Sequence, residues 1–459
     1  MTAATPAEAQ RLFIDASTLQ DLDVLTTARR DGTTLWSLVD RTRTRIGRQL
    51  LRDRLVGPPR LAEAILSLQQ AHRLLADDER DFRAMLDGSD ADRVEAYLGS
   101  TWQLPADMPA MSRLRAWHRQ YLKDVGQGQT SMARCLVAAA ALRQRLADPG
   151  NALLAGIAGE LAALLDSPEI RRLQPLTQQR SGRLQQFDQL ARGDARPRIA
   201  GLLECVGQID ALSSMGIATR EHGWSYPRPS SRLRVTRLVH PLLGANAVAN
   251  DLQLDDRVRV CFVTGPNMAG KSTFLKAVAL STILAHAGCG VPADAFEFPA
   301  VGTVFSSIDI SDNLAAGESF YLAEVRRIAA LARSLSDHGS AVAVIDEPFR
   351  GTNAHDAAEG TLAVITRLAS HPGALVFVAS HLAELATPLG DDTRVALLHF
   401  AAEVRDDQLS FDYRLRAGVS SQRLGITLLQ QERVLDLLDQ SARRGCHVTS
   451  DPLAGDMDA

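Results

Sequence analysis

Apolar positions in the first half of the chain recur at spacings of three and four. LWSLVDRTRTRIGRQLLRDRL (35–55) places Leu35, Leu38, Val39, Ile46, Leu50, Leu51 and Leu55 on that pattern, the period that turns one stripe of a helix toward a core. ILSLQQAHRLL (65–75) and the Ala/Leu-rich 136–165 behave alike, so residues from about 35 to 220 are predicted to be helical nearly throughout. DPGN (148–151) and DSPE (166–169) are predicted breaks between helices. From about 230 the pattern changes. VRVCFVT (258–264), VAVIDE (342–347) and ALVFVAS (374–380) are short apolar runs rich in β-branched residues, separated by helical stretches such as STFLKAVALSTILAH (272–286). That alternation predicts a parallel sheet covered by helices. WSYPRPSSR (224–232) lies at the join, nothing repeats at a fixed period, and SDPLAGDMDA (450–459) is expected to be a disordered tail.

A length of 459 residues leaves room for two or three domains. The net charge of −4 predicts neither wholesale coating of nucleic acid nor adhesion to a membrane. Its basic residues are lopsided, with three lysines (Lys123, Lys271, Lys276) against 47 arginines, a bias expected of a GC-rich genome. Five scattered cysteines without CxxC spacing argue for a reducing compartment and against a disulfide or metal framework. The N-terminal MTAATPAEAQRL lacks a signal-peptide pattern, and the most apolar run, AVALSTILAHAGCGV (277–291), is too short to span a bilayer. A soluble, cytoplasmic protein is expected.

Against this background one stretch carries chemistry: VTGPNMAGKSTFL (263–275). Gly265, the four residues Pro266, Asn267, Met268 and Ala269, then Gly270, Lys271, Ser272 and Thr273 make the P-loop pattern between a predicted strand and a predicted helix. Glycines let backbone N–H groups turn toward phosphate oxygens, and the helix N-terminus adds its positive dipole end. Lys271 would reach the β/γ-phosphates and the Ser272 hydroxyl would ligate Mg²⁺. VAVIDE ends in Asp346 and Glu347, about 75 residues after the lysine; one carboxylate would sit beside Mg²⁺ and the next would polarise the attacking water. ALVFVAS ends in Ser380, and His381, just past that strand, could sense a γ-phosphate through a hydrogen bond.

TGPNMAGKST, GCGVPA (288–293), SDNLAAGESFYLAEV (311–325), IDEPFRGTN (345–353) and ASHLAEL (379–385) together resemble the ATPase domain of the MutS family, in that family's order and spacing. The LSGGQ signature of transporter-type and chromosome-cohesion ATPases is missing. The resemblance implies that the residues around GESF serve instead, with Ser319 approaching a partner subunit's nucleotide. LVHPLLGANAVANDLQL (238–254) is similar to the family's His-Pro segment, where adenine docks, with His240 and Pro241 matching. LWSLVDRTRTRIGRQLLRDRLVGPP (35–59) and QIDALSSMGIATREHGWSYPRP (208–229) look like the two ends of the helical core, and YRLRAGVSSQRLGITLL (413–429) resembles the segment leading to a helical dimerisation element. Departures are also visible. No counterpart of the mismatch-reading or connector domain is found, little room is left for a clamp, and the usual Asp-Glu-Leu-Gly-Arg-Gly-Thr here reads Asp-Glu-Pro-Phe-Arg-Gly-Thr.

The expected fold is therefore an α/β P-loop NTPase (ABC-type ATPase) domain at 231–415, preceded by an all-α helical core at 1–230 and followed by a helical dimerisation element at 416–445 and a tail at 446–459. The resemblance implies a homodimeric, Mg²⁺-dependent ATPase that binds ATP and acts on DNA in mismatch repair-like or other repair or recombination processes; the departures imply DNA held mainly through its phosphates, with weak or no specific mismatch reading. RRLQPLTQQRSGRLQQFDQLARGDARPR (171–198), with seven arginines against two aspartates, is the candidate phosphate-contacting stretch. The alternative is an ATP-driven switch that binds protein partners and no DNA.

Overall fold

A computed structural model describes residues 10–28, 32–76, 87–100, 116–178, 183–308, 320–405, 408–420, 429 and 433–446. Ten helices run through the first half of the described chain: α1 (Ala16–Asp21), α2 (Leu35–Val39), α3 (Arg45–Val56), α4 (Ala62–Leu75), α5 (Gly88–Gly99), α6 (Ala116–Arg145), α7 (Ala152–Leu165), α8 (Pro168–Thr177), α9 (Leu184–Arg192) and α10 (Arg196–Glu221). Local chemistry sets their ends. Asn151, in DPGN, caps α7 by accepting the Leu154 N–H at 3.0 Å. Ser167, in DSPE, caps α8, whose first residue is Pro168. The 35–55 stretch is two helices, not one. Asp40 turns the chain by accepting the Thr42 N–H at 2.9 Å, and Thr44 caps α3.

After α10 come β1 (Arg228–Ser230), β2 (Arg234–Leu238), β3 (Asn250–Gln253), β4 (Val260–Thr264), α11 (Lys271–His286), β5 (Ala295–Pro299), β6 (Thr303–Ser307), α12 (Phe320–His338), β7 (Ala341–Asp346), α13 (Ala354–Ala369), β8 (Ala374–Ala379), α14 (Ala386–Leu389), β9 (Val395–Arg405), β10 (Gln408–Ala417) and α15 (Val434–Cys446). The described chain is thus α/β, with helices gathered ahead of the strands.

Contacts divide the chain into two compact units that are not consecutive halves: 1–256 with 276–309 and 326–344, and 257–275 with 310–325 and 345–459. In the first unit, α4 to α10 bury one core that includes Phe187, Tyr97, Leu161 and Ile209. A small sheet of order β1-β5-β2-β3 also lies there. In the second unit, β10-β9-β4-β8 lie side by side. Fully buried β4 pairs in parallel with both β8 and β9, and β10 is antiparallel to β9. Residues 416–417, assigned from the sequence to the dimerisation helix, are the last two of β10. Among the described residues no helix is long and apolar enough to cross a membrane.

Candidate active site

In the second unit, β4 delivers the chain into the loop 265–270 at its carboxyl end, the edge of a parallel sheet where ligands bind. Gly265 (φ 140°), Met268 (φ 69°) and Gly270 (φ 105°) have left-handed backbone. A Cβ on Gly265 would stand 2.5 Å from the Phe400 carbonyl, so only glycine passes there. Met268, 73% exposed and without that freedom, holds a conformation that costs a non-glycine residue about 1 kcal/mol or more. Pro266 and Gly270 are half-buried, Asn267 and Thr273 exposed, and Ala269 buried.

Lys271 opens α11 and is buried. Its ammonium donates to Gly265 O (2.9 Å), Pro266 O (3.1 Å) and Asn267 Oδ1 (3.4 Å), and stands 4.0 Å from Glu347 Oε1. Burial lowers its pKa, while the Glu347 and Asp346 charges oppose that shift. A buried cation held mainly by neutral carbonyls is poised for an anion. The Ser272 hydroxyl donates to Asp346 Oδ2. A hydroxyl and a carboxylate side by side are hard oxygen donors, the set that suits Mg²⁺ sharing its sphere with phosphate and water. Among the described residues no group of three or more His, Cys, Asp or Glu could hold a metal ion.

Glu347 follows β7 with φ 47°, and its N–H donates to Ala379 O at 2.9 Å, fixing the β7 exit against the end of β8. His381 stands just past β8; its Nδ1 is 3.8 Å from Glu347 Oε1 and its side chain is 60% exposed. Lys271, Ser272, Asp346, Glu347 and His381 are therefore brought together. The arrangement can hold an anion, offer oxygens to a hard cation and place a carboxylate against a water.

His240 belongs to the first unit. It precedes a turn at Pro241–Asn246, accepts the Leu242 N–H on Nδ1 at 3.2 Å, and lines a cavity of about 470 Å³ with Trp224, Arg237 and Asp294. Ser319 lies outside the described residues. Within the stretch 171–198 expected to face phosphate, Arg180 also lies outside them, and Arg192 is placed inward. Its side chain is 8% exposed, 2.8 Å from Asp188 and over the Tyr97 ring, while Tyr97 and Tyr121 donate to the same carboxylate. Asp188 lies one turn earlier in α9, but the sequence pattern could not show that the pair is buried, because the tyrosines that cover it come from α5 and α6.

Sequence reasoning missed Glu324. It lies in α12, is 3% exposed, and accepts the N–H groups of Arg350 (3.2 Å) and Gly351 (3.1 Å) just beyond Glu347. Burial raises its pKa despite these donors. The available signal was an acid following the aromatic and apolar run Phe320–Ala323.

Residues 261–444 match the family model of MutS domain V. The DNA mismatch repair protein MutS 2 of Halobacterium salinarum is 31% identical over 261 residues, 54% of this chain and 30% of that protein. The DNA mismatch repair protein MutS of Chloroflexus aurantiacus is 34% identical over 241 residues, 50% of this chain and 24% of that protein. The match thus spans less than a third of the length of either relative.

Proposed function

The chain belongs to the MutS family through its domain V, and from that premise we propose that it is an Mg²⁺-dependent ATPase whose P-loop closes over ATP within a homodimer and whose helical region holds DNA. The observation that carries this reading is the convergence of Lys271, Ser272, Asp346, Glu347 and His381 at the exits of β4, β7 and β8. When bound, Mg²⁺ supplies charge neutralisation on the β- and γ-phosphates, with Ser272 and Asp346 as its protein ligands. Loop amides of 267–273 cradle the phosphates beyond Pro266, and Lys271 exchanges backbone carbonyls for phosphate oxygens. Glu347 orients the attacking water and accepts its proton, and His381, beside that carboxylate, hydrogen-bonds the γ-phosphate. His240 docks adenine and Ser319 completes the partner's site. Functionally, the helical core is 1–230, the ATPase runs from 231 to the end of β10 at 417, and the dimerisation element lies within 418–445, in a cytoplasmic protein. Leu437 and Leu438 of α15, each 59% exposed, supply an apolar face for dimerisation.

The protein-partner alternative gains from the Arg-rich stretch. Arg192 is internal, and Arg171, Arg172 and Arg198 face Asp166, Asp194 and Glu169 at 3.4–3.7 Å. Titration against matched, mismatched and branched duplexes at two salt concentrations, with and without ATP, separates the readings. Binding that weakens steeply with salt supports phosphate contacts; no binding to any duplex favours the protein-partner switch. A purified protein that does not hydrolyse ATP defeats both.

A further inference from the structure

The turn leaving β7 carries an unusual conformation. Glu347 (φ 47°) and Phe349 (φ 63°) both have left-handed backbone without being glycine. In the family pattern the position of Phe349 is glycine, for which such a φ costs little. Here a phenylalanine is held there by its surroundings. Phe349 is 5% exposed, Gly360 leaves room for its ring (a Cβ there would stand 3.3 Å from it), and its ring centroid is 6.0 Å from that of Tyr321. Strained backbone persists only where neighbours over-determine it.

Those neighbours converge on the start of α12. Glu324 spreads its two oxygens over successive amides, Oε1 to Arg350 N and Oε2 to Gly351 N. The Arg350 guanidinium lies 4.9 Å over the Phe320 ring. Gly351 admits the same helix start: a Cβ there would stand 2.7 Å from the Phe320 ring and 2.8 Å from Tyr321 N. A buried carboxylate that accepts two consecutive N–H groups fixes a short turn in both direction and twist, which one acceptor cannot do.

We propose that Glu324 is a positioning residue for Glu347: through it the first turns of α12 hold the 347–351 turn in the strained conformation that aims the Glu347 carboxylate. This rests on the ATPase reading above.

The test compares wild type with Glu324→Ala, Glu324→Gln and Gly351→Ala, measuring ATP turnover, affinity for a fluorescent ATP analogue and amide exchange at 347–351. Glu324→Ala is expected to lower kcat at least ~10-fold, the scale of a displaced catalytic group, with analogue affinity kept within about twofold. Amides of Arg350 and Gly351 should lose protection, while those of the phosphate loop keep theirs. Glu324→Gln, which retains one acceptor oxygen, should fall between, and Gly351→Ala should behave like Glu324→Ala. Wild-type turnover in Glu324→Ala, or equal loss of affinity and kcat, overturns the proposal. Wild type without turnover overturns the ATPase reading on which it rests.

Discussion

His286 donates from Nδ1 to Pro59 O at 2.9 Å and accepts the Val301 N–H on Nε2 at 3.3 Å. Only the neutral ring can do both, since a second ring proton would face an N–H. Burial accordingly holds its pKa down to about 4, and that of His72, bonded through Nδ1 to Gly288 O at 2.7 Å, to about 3. Both folded-state values lie below that of the unfolded chain, about 6.5, so the unfolded state binds more protons between them. The stability tied to these rings is fully present above pH 6.5 and is lost as pH falls toward 4 and then 3. Each ring contributes a slope approaching ~1.4 kcal/mol per pH unit inside its window. Urea unfolding at pH 7.5, 6 and 5 should show the decline, and His286→Gln should flatten it; a level profile in wild type contradicts this. At the active site, Glu347→Gln should bind ATP yet turn over at least ~100-fold more slowly, as expected for loss of a positioned base. Lys271→Ala should instead lose nucleotide affinity. Wild-type turnover by Glu347→Gln removes that residue from the role.

Helices α3 and α10 meet through glycines. A Cβ on Gly47 would stand 2.4 Å from Asp210 Oδ2, and one on Gly207 2.5 Å from Ile46 Cγ2. The approach lets buried Asp210 on α10 cap α3 from outside. It accepts Arg43 N–H at 3.0 Å, Thr44 N–H at 2.8 Å and the Thr44 hydroxyl at 2.7 Å, while Thr44 Oγ1 accepts Gly47 N–H. Removing one carboxylate therefore orphans several donors at one helix end. Asp210→Ala should cost about 2–4 kcal/mol, against about 1 kcal/mol for Thr44→Ala, which loses the local cap and its hydroxyl bond but leaves Asp210 its two backbone N–H donors. Denaturant midpoints measure both, and equal losses would mean that Asp210 does no more than a local cap. Arg192→Glu belongs here too. Placing a second negative charge beside Asp188 should destabilise by ~3 kcal/mol or more, seen as a lowered melting temperature, whereas a phosphate-contacting arginine would leave melting unchanged.

For the whole molecule the proposed site is composite, so turnover should depend on assembly. Specific ATPase activity is expected to fall on dilution together with sedimentation coefficient, and Leu437→Asp with Leu438→Asp should give monomers with little turnover, because two charges cannot be buried unpaired in an apolar interface. Ser319→Arg and Lys271→Ala subunits, each inactive, should regain some activity when mixed, since a heterodimer keeps one complete site. A monomer with full activity at high dilution defeats the composite arrangement.

By itself the sequence determined what depends on short-range chemistry. The strands β4, β7 and β8, the helix α11, the helix breaks at DPGN and DSPE, and Lys271, Ser272, Asp346, Glu347 and His381 at strand exits were legible because each follows from apolar period, turn formers or glycine spacing within a few residues. Tertiary structure decided what requires partners distant in sequence. Periodicity alone ran α2 into α3; Asp40 and Thr44 mark the break locally, while the carboxylate that reinforces it, Asp210, comes 166 residues after Thr44. Arg192 read as a surface charge until Asp188 shared its carboxylate with Tyr97 and Tyr121. The segment near the N-terminus is woven into the first unit through Phe13, bonded to Gly302 and Val304, and through Asp15, 2.6 Å from Arg327, a separation of 312 residues. Glu324 was invisible for the same reason: a carboxylate's role is set by the amides it meets, and no local pattern places a helix start against a turn that follows a strand in another part of the chain.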